Sequence, residues 1–342
     1  MQRTRVNGSY SKWREILSGV PQGSILGPLL FNIFINDIFF FLSKAKIANF
    51  ADDNTPFSVE EDIMSLLKIL EADTFSLLNW FRFNEMQPNQ GKCHLLVSDI
   101  NHKHYDSKSF VFLEDAFLES EEMSKLLGVN VDKNLKFEEY INLIIKKGKQ
   151  KLHALMRISK FLTQEKIRTL VAAFIESQFN HCPLVWMFHS RTLNNKINKL
   201  HERALRLVYK DKSLTFKQLL DKDQSFSIHE RNIQKIAIEM FKVKNNLTPK
   251  PFQDIFLMKE RGGNDFVIPK INTVKMGEGS VRYRGPKTWE IVPEEIKQSK
   301  SLDIFKDRIK KWKPVDCRCS LCKTYVEGLG YGFFKGDSFV PK

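Results

Sequence analysis

The stretch Ile25–Leu42, ILGPLLFNIFINDIFFFL, constrains the fold of this chain more than any other. Its 18 residues approach the length that crosses a bilayer, yet Gly27, Pro28, Asn32, Asn36 and Asp37 lie inside it. Polar residues of that kind are costly at membrane depth, so the expectation is a buried core helix and no membrane span. Asn32 and Asn36, four residues apart, share one helical face, and the remaining faces are almost wholly apolar. Other elements must cover them. A chain of 342 residues with 42% hydrophobic content has the material to build such a core, which excludes wholesale disorder and allows two or three domains.

The surrounding sequence suggests what those elements are. Upstream, Arg3–Val6 and Ser9–Trp13 flank Asn7-Gly8, a two-residue hairpin signal. The Gly/Pro-punctuated loop Ser18–Ser24, SGVPQGS, leads into the apolar helix. Beyond it, Lys46–Phe50, Ala51-Asp52-Asp53-Asn54 and Thr55–Val59 read as strand, turn and strand. Helical periodicity runs over Glu61–Phe83 and stops before Asn84 and Pro88. Further strands are expected at Cys93–Ser98, Ser109–Leu113 and Leu126–Val131. From Phe137 the pattern turns helical, near 137–159, 164–179, 192–209, 228–245, 250–258 and 302–312. Gly262–Pro293, rich in Gly, Pro and Arg, reads as irregular with short strands at Phe266–Ile268 and Val281–Tyr283. No repeat of fixed period is present. The plan is α+β for residues 1–132 and mostly α after that.

Charge is unevenly distributed along this plan. The chain carries a net charge of +14, but residues 1–90 are at −2 and residues 91–342 at +16, with +10 inside 136–210 alone. A basic, helix-patterned segment after a near-neutral front suits a polyanion, and clustering favours nucleic acid over a merely solubilising surface. Five cysteines form no disulfide framework, which points to a reducing intracellular compartment, nuclear or cytoplasmic. The opening MQRTRVNGSYSKWRE has no apolar core of a secretory signal.

Asp52-Asp53 is the sharpest chemical feature. Adjacent carboxylates repel, and holding them together is costly unless a divalent cation compensates. Mg²⁺ takes one or two protein carboxylates together with substrate phosphates, which fits this supply. Alone, an Asp-Asp-Asn turn reads better as an ordinary solvated hairpin. The context shifts the weight. Ser18-Gly-Val-Pro-Gln-Gly-Ser24, then ILGPLLFNIFINDI, then Phe50-Ala-Asp-Asp53 resembles the reverse transcriptases of non-LTR retrotransposons, the jockey-like group in particular. Leu78-Asn79-Trp80, Met86-Gln87-Pro88-Asn89 and Lys92-Cys93 look like the next palm motif, and Leu126-Leu127-Gly128-Val129 like the start of the primer-grip region. The basic helices from Phe137 look like a thumb.

The resemblance implies a partial reverse-transcriptase palm over 1–132, an antiparallel sheet with helices. A basic helical thumb over 133–210 and a helical region of unassigned role over 211–342 would follow. It implies RNA-directed DNA polymerase chemistry on an RNA template and DNA primer with deoxynucleoside triphosphates. Asp52 and Asp53 would then be catalytic and would hold Mg²⁺ or Mn²⁺. Gln22 and Gly23 would belong to the loop beneath the nascent base pair, Phe50 stands where many relatives carry Tyr, and Lys92 is a candidate phosphate contact or a solubilising charge on a strand edge. The family's other metal-binding Asp lies well upstream of the SGVPQGS loop, whereas only 17 residues, none of them Asp, precede Ser18. An N-terminally truncated palm, inactive alone, is therefore expected. The alternatives are a non-catalytic nucleic-acid-binding remnant or an inert interaction protein. Cys317, Cys319 and Cys322 form CxCxxC, one ligand short of a zinc site, so reduced thiols are the expectation and zinc the alternative.

Overall fold

A computed structural model describes residues 1–16, 19–21, 23–99, 108–113, 116–259, 266–271, 277–315 and 321. The chain forms two compact units, Met1–Ser124 and Lys125–Lys342. Both mix helices with two-stranded sheets or are wholly helical beyond one, which agrees with the α+β expectation.

The first unit opens with the ribbon β1 (Arg5–Val6) and β2 (Ser9–Tyr10), turned by Asn7 and Gly8, both at positive φ. Helix α1 (Gly27–Ile35) starts where the Ser24 hydroxyl accepts the Gly27 N–H at 2.9 Å and Pro28 presets the first turn. It tightens into a 3₁₀ segment over Asn36–Phe41. The hairpin of β3 (Lys46–Phe50) and β4 (Asp53–Phe57) follows, then α2 (Ile63–Phe83), capped by the Asp62 carboxylate on the Ser65 N–H. One face of α2 closes on the 3₁₀ segment. Leu77 and Trp80 pack with Ile35 and Ile38, and the Trp80 indole N–H donates to Asp37 at 2.9 Å. Its opposite face, through Leu78, packs on Val111 and Leu113 of β5 (Phe110–Leu113), which pairs with β6 (Ala116–Glu119).

Two expectations need correction here. The apolar run forms a helix, but only Gly27, Ile35 and Ile38 of it are buried, while Leu29, Leu30, Ile33, Phe34 and Phe40 are exposed. The packing partner α2 covers one stripe, and no described element of this unit covers the rest. Cys93–Ser98 is no strand: Gln90–Lys92 winds into a 3₁₀ turn and Leu95 makes only an isolated bridge to Ser120.

Leu126–Val131 is likewise two strands. Leu127 and Gly128, at φ 46° and 86°, turn β7 (Met123–Leu126) into β8 (Val129–Asp132). The Asp132 carboxylate accepts the N–H groups of Asn134, Lys136 and Phe137 and so launches α3 (Glu138–Ile158). Next come α4 (Gln164–Phe174), α5 (Pro183–Trp186), α6 (Arg191–Tyr209), α7 (Phe216–Asp223) and α8 (Ile228–Lys244). The chain continues through α9 (Lys250–Gln253), α10 (Val281–Ile291), α11 (Glu294–Lys297) and α12 (Leu302–Ile309). Helices α3, α4 and α6 share one core around Ile141, Val171 and Ile197, and α8, α10 and α12 share another around Phe241, Trp289 and Phe305. Helix α9 is a single turn, shorter than the expected 250–258. The expected strand at 281–283 is the first turn of α10, whose Pro286 and Gly285 disguise it. Burial wins over propensity there: Trp289 is fully buried between Phe266 and Phe305, and a Cβ on Gly285 would lie 2.5 Å from the Met240 sulfur.

A buried ion cluster ties these helices together. Glu176, on the 3₁₀ turn after α4, accepts from Arg231 of α8 at 2.6 Å and lies 3.1 Å from Arg168. Arg168 also donates to Asp223, as does the Tyr209 hydroxyl, both at 2.7 Å. His201, wholly buried 3.3 Å from Glu176, is held neutral because desolvation, reinforced by the two arginines, outweighs the attraction of the carboxylate. Burial would raise the Glu176 pKa, but its cationic and hydrogen-bonding neighbours overcome that and hold it far below the ordinary range. The depressed carboxylate therefore contributes stability above the usual Glu range and loses it as pH falls. Glu176→Gln, leaving Arg231 without its carboxylate and Arg168 with Asp223 alone, is expected to cost the second unit about 3–5 kcal/mol. It should also flatten the loss of stability below about pH 5; urea unfolding followed across pH checks both.

Candidate functional site

The β3–β4 hairpin presents the acidic pair at its tip. Phe50 pairs with Asp53, so Ala51 and Asp52 form a two-residue turn. Ala51 sits at φ 53°, in the left-handed region that a glycine takes without strain and an alanine does not. Strain next to chemistry-bearing side chains is a mark of functional turns. Asp52 and Asp53 are both exposed, and neither carboxylate pairs with a cation among the described residues. Phe50 is 65% exposed, its ring beside the turn and outside any core. One step back, Asn49 and Asn54 face each other across the ribbon, and the Asn49 amide has no partner.

The root of this hairpin is fixed by an acid from α2. Asp73, 2% exposed, accepts the N–H and hydroxyl of Ser43 at 2.9 and 2.8 Å and the N–H groups of Lys44 and Ala45 at 2.9 and 2.6 Å. Desolvation alone would raise its pKa, but these donors prevail and hold it below the ordinary value. Sequence reasoning missed Asp73, although a signal was available: it lies on the helical stripe of Leu77 and Trp80, where an acid must have partners.

The other candidates are scattered or outside the described residues. Gln22, Cys317, Cys319 and Cys322 are outside them. Gly23 is at φ 82° with open space around it, a conformation suited to glycine. Lys92 is exposed at the end of the Gln90–Lys92 3₁₀ turn, which corrects the expected strand edge. Cys93 and Cys182 are free thiols. Among the described residues, no group of three His, Cys, Asp or Glu could hold a metal ion, and no helix is long and apolar enough to cross a membrane.

In the second unit, Lys146, Lys149, His153, Arg157 and Lys160 are all exposed and recur at helical spacing along α3 and the turn after it. This stripe spans about 20 Å.

Comparison with known proteins places the acidic turn in a family. Residues 1–170 match the reverse transcriptase (RNA-dependent DNA polymerase) family. The chain is 25% identical over 225 residues to a probable RNA-directed DNA polymerase from transposon BS of Drosophila melanogaster, covering 60% of this chain and 24% of that protein. It is 27% identical over 146 residues to the RNA-directed DNA polymerase from mobile element jockey of the same organism, covering 41% of this chain and 16% of that protein. No solved structure matches. The chain thus belongs to the reverse transcriptases. Within that class it is of the non-LTR, jockey-like retrotransposon type, and it spans about a quarter or less of the length of the relatives it matches.

Asp73→Asn replaces an acceptor of four donors by a group that brings its own N–H. The expected cost to the first unit is about 2–4 kcal/mol. Hydrogen exchange is the readout: protection should fall at the amides of Lys44 and Ala45 and stay unchanged in α3.

Proposed function

We propose that this chain is the nucleic-acid-engaging part of a retrotransposon reverse transcriptase, with half of the catalytic metal site. The first unit is read as partial palm and the start of the second as thumb. The observation that carries the reading is the strained, solvent-facing Ala51-Asp52-Asp53 turn within a segment matching the family.

Two exposed carboxylates without protein counter-ions suit a hard divalent cation that takes its remaining ligands from water and phosphate. Asp52 and Asp53 would hold Mg²⁺ or Mn²⁺, which when bound would neutralise charge on an incoming triphosphate. The protein's own part is to present both carboxylates together. The Asp73 clamp fixes the start of β3, and the five-pair register carries that placement to the tip. Gly23, in the Ser18–Ser24 loop with Gln22, would leave room for a nucleotide to approach the backbone, and Lys92 would meet a phosphate. Two-metal chemistry needs carboxylates converging from more than one segment, and among the described residues no third His, Cys, Asp or Glu joins Asp52 and Asp53, so the turn is read as half of a site.

Nucleic acid binding has separate support. Lys146, Lys149, Arg157 and Lys160 form an exposed cationic row facing no carboxylate partner among the described residues. A template–primer duplex is the partner that such a row on a thumb would follow, through its phosphates.

The full chain is expected to bind an RNA–DNA hybrid at low salt with affinity falling steeply as salt rises. Replacing Lys146, Lys149 and Arg157 by Glu should weaken binding at least about tenfold and lower the salt slope by roughly 2–3. Given a primed RNA template, four deoxynucleoside triphosphates and Mg²⁺ or Mn²⁺, it should extend nothing. Robust extension abolished by Asp52→Ala would overturn the half-site reading. Failure to bind the hybrid at low salt would overturn the nucleic-acid reading and leave an inert remnant.

A further inference from the structure

The second unit carries a groove of about 320 Å³ that the polymerase reading does not use. Three segments meet around it: the β7–β8 hairpin, α3, and residues 177–181. We propose that this groove binds the terminal phosphate of a single nucleotide, supplied free or as the end of a strand.

Charge is the first argument. Lys125 comes from β7 and Lys147 from α3, where it lies outside the i, i+3, i+4 spacing of the Lys146–Lys149 row. Neither ammonium is paired with a carboxylate among the described residues, and no Asp or Glu lines the groove. Two uncompensated ammonium groups match the charge of a terminal phosphate, which is about −1.5 to −2 near neutral pH. The Gln178 and Asn130 amides add donors and acceptors for the oxygens that lysine leaves free.

Preorganisation is the second. The His181 ring donates through Nε2 to the Leu127 carbonyl at 2.9 Å, which pins the tip of the hairpin to the 177–181 segment. Gly128 makes that approach feasible, since a Cβ there would stand 3.2 Å from His181 Nε2. The floor is rigid as well: Tyr140 is buried and its ring lies 6.3 Å from that of Trp186. A wall and floor held in place before binding reduce the entropy lost on association.

Size is the third. The volume lies at the lower end of ordinary small-ligand sites, room for one nucleotide and too little for a duplex. The choice of a phosphate over another anion rests on the nucleic-acid reading above.

The test uses the full chain and a fluorescent single-stranded octanucleotide, with either a 5′-phosphate or a 5′-hydroxyl, in about 0.1 M salt, with adenosine monophosphate as competitor and an RNA–DNA hybrid binding assay alongside. The 5′-phosphate should tighten binding about tenfold, the scale of charge-assisted hydrogen bonds. Lys125→Gln with Lys147→Gln should abolish that preference, and Gln178→Ala should reduce it, each with the thermal melt of the parent. Displacement by the monophosphate assigns the groove to free nucleotides, and a preference for the phosphorylated end without displacement assigns it to strand termini. Equal binding of both octanucleotides with no monophosphate binding, or a preference that survives the double substitution, overturns the groove. Hybrid binding that stands while the phosphate preference is absent sinks the groove alone; loss of hybrid binding sinks the broader reading whatever the groove does.

Discussion

One buried carboxylate organises the first unit. Asp73 collects four hydrogen bonds from three consecutive residues, and those residues lead directly into β3, at whose far end the turn carries Asp52 and Asp53. A charge buried this deeply is tolerable because each donor is a fixed backbone or hydroxyl group. The result is a lever. Helix α2, itself anchored through Trp80 to Asp37, sets the angle at which a short ribbon leaves the core. Among the described residues the ribbon has no third strand, and Ile47 of β3 packs against the Leu77–Trp80 core.

The second unit solves a different problem. Its helices are basic outside and must still meet closely inside. The largest group of inward-facing charges is the Glu176 cluster, in which Glu176 is served by two arginines and His201 stays uncharged, while buried Arg284 and Lys297 each lie near a glutamate of their own, Glu278 and Glu294. The outward-facing Lys146 and Lys149 have no carboxylate partner among the described residues. Sorting charge in this way lets one helical body carry a dense positive surface without burying uncompensated cations.

Much of this was legible in the sequence. The alternation of Lys46–Phe50 and Thr55–Val59 about an Ala-Asp-Asp-Asn turn identified the hairpin, and the apolar spacing of Glu61–Phe83 identified α2. The family followed from the SGVPQGS loop and the Phe-Ala-Asp-Asp turn together. Other elements stayed hidden for physical reasons. Leu127 is a poor advertisement for a turn, so β7 and β8 read as one strand. Gly285 and Pro286 hid α10 because its stability comes from Trp289 and its neighbours and little from propensity. Asp73 and Glu176 went unread in the sequence: the apolar stripe of Leu77 and Trp80 hinted that Asp73 is buried, but only the folded chain reveals the groups that partner each acid. The apolar residues of Ile25–Leu42 promised burial, and their exposure in this unit reflects how narrow a stripe α2 covers.

The left-handed alanine at the hairpin tip has an evolutionary corollary. A side chain branched at Cβ crowds its own backbone in that conformation, so valine or threonine at position 51 would reshape the loop rather than fill it. Glycine would sit there without conflict, yet would loosen the unfolded chain. Substitution at this position is thereby steered away from Cβ-branched residues wherever the fold is maintained.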